Sequence, residues 1–221
     1  MDLQQAMAQR HSVRAYTDKP IEGKTLEQLR AFIRQSNERS GLHMQLVLND
    51  PKAFDGFMAR YGKFSGVKNY IALVGKRADG LEEKLGYYGE SVALYAQTLG
   101  LNTCWVGLTY AKNWNAFDIG PGEKLGLVIA VGYGVHQGVP HTSKPREKVI
   151  TAQGPAPDWF LRGVDAALLA PTAMNQQKFM FRLENGRVSA RAGLGFYSKV
   201  DLGIAKYHFE LGAGKANFQW A

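Results

Sequence analysis

Apolar and polar positions along the chain follow two rhythms. A helical spacing runs through Leu3 to Gln9 and again through Leu26, Leu29, Phe32 and Ile33. Thr25, with Gln28 three residues on, has the form of a capping box, which predicts a helix from about 25 to Ser36. A strand is predicted at His43–Leu48 and a short helix across Pro51–Arg60. Tyr70–Gly75 is almost continuously apolar, the mark of a strand buried on both faces. Leu85, Tyr88, Val92, Tyr95 and Leu99 share one side of a long helix from Leu81, which Gly100 stops. Two more buried strands are predicted at Thr103–Leu108 and Lys124–Tyr133. Residues 134–157 hold four prolines and few apolar residues, so they read as a crossing or linker.

The rhythm resumes at Asp158 with a helix that ends against Pro171, since proline lacks an N–H and clashes one turn back. The stretch Pro171-Thr-Ala-Met-Asn-Gln-Gln177 then turns the chain into a strand at 178–184. Asn185-Gly186 predicts a hairpin to a strand at 187–192, and Val200–Ala213 closes as a helix. A helix, a corner of amides and hydroxyls, and a strand would clasp a flat heterocycle with polar edges. An ordinary helix–strand connection uses the same residue types.

A shift of 135 positions lays Ser36 on Pro171, Leu26 on Leu161, Ile33 on Leu168 and Leu48 on Leu183. Both stretches read helix, polar corner, strand, and only the second has the proline, the asparagine and the glutamine. Two related halves are expected, at 1–150 and 151–221, although two amphipathic helix–strand units can also coincide by chance.

Composition narrows the chemistry. With 221 residues, 45% of them hydrophobic, the chain can bury a substantial core. No apolar run is long enough to span a bilayer, and the N-terminus lacks the apolar core of a signal peptide. Cys104 is the single cysteine, which excludes an internal disulfide and multi-cysteine zinc sites; its place in an apolar strand suits a small core residue. The expectation is a cytoplasmic protein without membrane partners. The net charge is +8, with cations scattered rather than clustered, so no nucleic-acid partner is expected. An anionic cofactor or reductant fits this excess, and so does solubility alone.

His11, His43, His136, His141 and His208 show no ligand spacing with carboxylates, so no metal site is expected. Gly132-x-Gly134 lacks the third glycine and following helix of a dinucleotide fingerprint. Arg10, Ser12 and Arg14 could grip a phosphate through paired guanidinium donors and a hydroxyl, or simply form a solvated helix end. Lys144-Pro145-Arg146 is a second compact basic pair, open to the same two readings.

Four of these stretches together resemble the nitroreductase family of FMN-dependent NAD(P)H oxidoreductases. They are Arg10-His-Ser-Val-Arg14, Leu99–Gly107 (LGLNTCWVG), Gly132-Tyr133 followed by Lys144-Pro-Arg146, and Pro171–Gln177, which is similar to the family's Pro-Ser-x-x-Asn-x-Gln. The order departs from the family, where the Pro-Ser-x-x-Asn motif comes early. Here the degenerate copy at 36–42 holds the early slot, and Lys178-Phe179 stand where Pro-Trp is usual.

The resemblance implies an α+β fold with a mixed, largely antiparallel sheet and flanking helices, arranged as two related halves in one chain, a fused pseudo-dimer. It implies that Arg10, His11, Ser12, Arg14, Lys144 and Arg146 hold the FMN phosphate and ribityl chain. Pro171, Thr172, Ala173 and Asn175 would line the ring, Gln177 would be closer to structural, and Val106 and Gly107 would set a backbone N–H near flavin N5. Both halves would contribute to one FMN. NAD(P)H would reduce it, and a small nitro, quinone or similar acceptor would reoxidise it. A monomer or weak homodimer is expected. A flavin-binding or storage protein without significant turnover is the alternative.

Overall fold

The computed structural model describes residues 1–221. Six helices form: α1 Leu3–Gln9, α2 Gly23–Ser40, α3 Phe57–Tyr61, α4 Leu81–Thr98, α5 Asp158–Leu168 and α6 Ser198–Ala213. Eight strands form: β1 Gln45–Val47, β2 Tyr70–Lys76, β3 Asn102–Val106, β4 Glu123–Gly132, β5 Ile150–Ala152, β6 Phe179–Glu184, β7 Arg187–Ala192 and β8 Gln219–Trp220. No helix is long and apolar enough to cross a membrane. The expected α+β character is present, with the strands divided between two four-stranded sheets.

The chain packs as two compact units. One comprises residues 10–81 and 91–139, the other residues 1–9, 82–90 and 140–221. The expected boundary was 150; packing changes hands at 139/140, and the first nine residues and half of α4 group with the C-terminal stretch.

In the first unit the sheet order is β1-β2-β4-β3, antiparallel throughout. Tyr70 to Val74 are fully buried, as their unbroken apolar run requires. The Tyr70 hydroxyl donates to Asp50 at 2.8 Å, which satisfies a polar group inside a core of Phe54, Phe64, Tyr110 and Phe117. The expected cap at Thr25 does not form. The helix starts at Gly23, with Leu26 N–H on the Glu22 carbonyl and no side-chain cap. Its end also lies beyond the expected Ser36. Ser40 is buried and donates to the Ser36 carbonyl at 2.6 Å, so a small polar residue continues the helix rather than breaking it. Gly41, at φ 68°, then ends it.

In the second unit the sheet order is β5-β6-β7-β8; the outer pairs are parallel and the β6–β7 hairpin antiparallel. Neither β5 nor β8 was expected. Both are too short to show a rhythm, and β8 is held by Trp220 against an aromatic core. Phe209 of α6 is the hub of that core: it stacks on Phe181 at 4.6 Å and meets Phe160, Phe218 and Trp220 within 6 Å. His208 is fully buried, bonded to Ala166 O and Glu90, as a structural histidine should be.

Glycine sets the helix spacing in this unit. A Cβ on Gly203 of α6 would lie 1.9 Å from the Glu83 carbonyl, and one on Gly86 would lie 2.0 Å from the Val200 carbonyl. The backbones of α6 and the first half of α4 touch there, and backbone cannot rotate away. Alanine in an open helix stabilises by about 1 kcal/mol over glycine. At Gly203 the sign should reverse. Gly203→Ala is expected to cost about 2–3 kcal/mol through overpacking, read as a lower urea midpoint at unchanged slope; a stabilised variant would mean the helices part freely.

Candidate active site

Residues 10–17 cross the first unit as an extended ribbon. Val13 N–H donates to Thr103 O at 3.1 Å, Ser65 N–H to Arg14 O at 3.0 Å, and Val135 N–H to Ala15 O at 2.9 Å. In extended chain, alternate side chains share a face. Val13 is fully buried in the core, which leaves Arg10, Ser12 and Arg14 together on the other side. Cys104, in the same core as Val13, lies within their electrostatic reach. Burial pushes that thiol's pKa up, while Arg14, Arg10 and a hydrogen bond from Ser12 pull it down. Two guanidinium groups and a hydroxyl favour negative charge in one place, which fits a phosphate. Arg10 is 2% exposed, and Arg14 reaches solvent. His11 is half-buried under Gly138, where a Cβ would sit 2.7 Å from His11 Cβ.

Gly134 has a packing reason. A Cβ there would lie 2.8 Å from both Asn102 Oδ1 and Val13 Cγ1. Asn102 is buried; it accepts from Gly134 N–H and donates to Gln137, so it staples the 134–137 turn to β3. Val106 is the last paired residue of β3 and is buried. Gly107 follows, half-buried, and Leu108 stands 65% exposed. The strand thus delivers the Gly107 backbone to the edge of the core.

The corner belongs to the second unit. Met174, Asn175 and Gln177 have φ of 51°, 53° and 42°. Asparagine tolerates this left-handed region; methionine and glutamine rarely adopt it. Two supports hold them. One is residues 141–144, from the segment expected to be a linker. His141 and Ser143 donate to Leu168 O at the end of α5. Thr142 O accepts from Asn175 Nδ2 and Gln177 Nε2, each at 2.9 Å. Lys144 N–H donates to Gln177 Oε1, and its ammonium to Gln176 O at 2.7 Å and Gln177 O at 3.1 Å.

The second support is Asp201, on α6. Its carboxylate accepts Ala173 N–H at 3.0 Å and Gln176 Nε2 at 2.7 Å. An acid in an amphipathic helix is expected to face water, yet Asp201 is 2% exposed. Its signal was weak: one acid among Val200, Leu202 and Ile204.

Lys144, Asn175, Gln177 and Thr172 are therefore brought together, Thr172 Oγ1 accepting Gln177 N–H at 3.1 Å. Pro171 is buried and Ala173 half-buried beside them. Gln177 is structural, at 2% exposure. Arg146 stands apart from this group and forms a bidentate pair with Asp165 of α5, both half exposed. Donors remain on both cations. An ammonium has three N–H and Lys144 uses two; a guanidinium has five and Arg146 uses one edge. No group of histidines, cysteines and carboxylates is placed to hold a metal ion.

Burial pushes the Asp201 carboxyl up to about 6 from an ordinary 3.8, against the pull of Gln176 and Ala173 N–H. The folded chain therefore keeps this proton to higher pH than the unfolded chain. The group's contribution is fully present below pH 3.8 and is lost as pH rises through 6. Relative to Asp201→Asn, the wild type is expected to lose on the order of 3 kcal/mol between pH 4 and 7. Urea unfolding of both proteins across that range checks it, and parallel stability curves would refute it.

Residues 2–213 match a family model described as "Putative TM nitroreductase". No curated protein matches the sequence. Solved structures share the fold. A "putative nitroreductase" from Thermotoga maritima superposes with a TM-score of 0.69 at 21% identity, over 98% of this chain and 85% of that one. A "putative nitroreductase" from Desulfovibrio desulfuricans, solved in complex with FMN, gives 0.54 at 20% identity, over 71% of this chain and 99% of that one. A "Putative NADH dehydrogenase/NAD(P)H nitroreductase" from Bacteroides thetaiotaomicron gives 0.51 at 19%, over 66% and 95%. These likenesses establish a shared fold, and with the match spanning nearly the whole sequence, the chain belongs to the nitroreductase family that this model describes.

Proposed function

We propose that the protein is an FMN-dependent oxidoreductase that takes electrons from NAD(P)H and delivers them to a small nitro, quinone or similar acceptor. The observation that carries the reading is the placement of Arg10, Ser12 and Arg14 at alternate positions of one ribbon bridged to β3, the arrangement of a phosphate cradle, in a member of this family. Family membership and the FMN complex of the Desulfovibrio relative support it. The flavin would supply two-electron chemistry, so no side-chain nucleophile is required.

The chain's own residues then have separate tasks. Arg10, Ser12 and Arg14 bind the phosphate, with His11 alongside, and Lys144 and Arg146 add their unused donors. Pro171, Thr172, Ala173 and Asn175 shape the ring contact, on a backbone fixed before any ligand arrives. Val106 and Gly107 offer main chain at the edge of a buried strand. One FMN per chain is the stoichiometry proposed.

Titration with FMN, followed by stopped-flow reduction with NADH and NADPH, tests the reading. Arg14→Ala should raise the FMN dissociation constant about ten- to a hundredfold where the bound phosphate buries its charge-assisted hydrogen bonds, worth about 1.5–3 kcal/mol. Asn175→Ala should also weaken binding, because its amide braces the corner. Binding without reduction by either nicotinamide would assign the protein to flavin storage. Failure to bind FMN at all would end the proposal.

A further inference from the structure

The outer face of the second sheet has no role in this reading, and its chemistry is one-sided. Along β6, Phe179, Phe181 and Leu183 point into the core, which turns Met180 and Arg182 outward. The register sets Arg191 beside Met180, Ser189 beside Arg182, and Thr151 beside Arg182 from the other edge. Two depressions lie on this face. One, of about 500 Å³, is lined by Lys144, Lys148, Lys178 and Arg191 over Met180 and Leu194, and it reaches Gln177, the last residue of the corner. The other, of about 380 Å³, contains Arg182, Ser189 and Thr151, and shares Met180 and Arg191 with the first.

The two depressions share Met180 and Arg191 and so lie side by side as a trough, each of ligand size. No carboxylate lines it. Glu184, the nearest acid on β6, is paired with Arg182 at 3.1 Å. Lys148, Lys178 and Arg191 have no ion-pair partner. Uncompensated cations around a concavity focus a positive potential into it. Arginine offers a fork matched to phosphate oxygens. Leu194, 94% exposed, and Met180 add an apolar surface on which a base or sugar can rest.

We propose that this trough binds the phosphate groups of the nicotinamide dinucleotide reductant, with Lys148, Lys178 and Arg191 as its cations. The assignment of that ligand rests on the flavin oxidoreductase reading; the phosphoanion site itself does not. Two sources of phosphate share the chemistry, the pyrophosphate of any nicotinamide dinucleotide and the 2′-phosphate of NADPH.

Calorimetric titration of the full-length protein, with and without saturating FMN, separates the possibilities. The probes are ADP-ribose for the pyrophosphate and 2′,5′-ADP for the 2′-phosphate. At least one should bind at low salt. Lys178→Ala/Arg191→Ala should weaken that binding tenfold or more and leave FMN affinity unchanged. Preference for 2′,5′-ADP assigns the trough to NADPH, and preference for ADP-ribose assigns it to the pyrophosphate. Binding of neither probe, binding indifferent to the double substitution, or one-for-one displacement by FMN would overturn the proposal. A protein that binds a probe but no FMN would sink the flavin reading and leave the trough standing.

Discussion

The geometry of the Thr172–Gln177 corner depends on backbone that its own residues do not favour. Left-handed conformation at a non-glycine residue costs of order 1 kcal/mol or more, and it persists only where surroundings over-determine it. Here the surroundings are two. Residues 141–144 satisfy the corner's amides and carbonyls from one direction, and Asp201 gathers Ala173 N–H and the Gln176 amide from another. Each hydrogen bond contributes roughly 1 kcal/mol, and several of them outweigh three strained residues. A corner held this way loses little entropy when a ligand docks, which is the physical advantage of preorganisation.

That arrangement in turn depends on where α6 stands, because Asp201 sits in its first turn. The helix is located by contacts with no slack: backbone against backbone at Gly203 and Gly86, and the Phe209 ring inside an aromatic cluster. Glu210, farther along the same helix, accepts from the Tyr87 hydroxyl and from Trp220 Nε1, which ties α4 and β8 to it. The sequence of dependence is short: glycines set the helix spacing, the helix sets one carboxylate, and the carboxylate sets the corner.

The elements that sequence reading located well are those that burial dictates. Tyr70–Gly75 is almost continuously apolar and Leu81–Thr98 is periodic for five turns, so their positions follow from hydrophobicity alone. The Asn185-Gly186 turn is equally local, Asn185 taking a φ of 50° and Gly186 one of 75°. What escaped was set by partners distant in sequence. Thr25 looked like a cap by composition, yet Gly23 permits the chain to enter the helix earlier. Residues 134–157 looked like a linker because they are poor in apolar groups. The polar atoms of residues 141–144 are engaged instead with carbonyls and amides about 25–35 positions away. Asp201 escaped for a related reason: a lone carboxylate in an amphipathic helix reads as solvent-facing, and only the tertiary structure reveals that it faces two donors. The motif residues stood out in the sequence because their types are chemically particular; the residues that brace the corner did not, because serine, threonine and glutamine are common everywhere.

The same distinction bears on the cations. A basic pair in a proline-rich segment reads as a phosphate grip, and Lys144 and Arg146 were assigned that role by resemblance. In the fold each already has an anionic or carbonyl partner, Gln176 O and Gln177 O for one and Asp165 for the other. Arg10 and Arg14 differ in kind. Both pull the Cys104 thiol's pKa down against the effect of burial, and they occupy alternate positions of the ribbon. A phosphate dianion needs several donors held in place before it arrives. In the proposed function the Arg10–Arg14 ribbon meets that requirement, whereas Lys144 first meets a structural one, since two of its three donors keep the strained corner in register. Lys144 is therefore first a structural cation of the corner, while the proposed function gives the phosphate to Arg10 and Arg14.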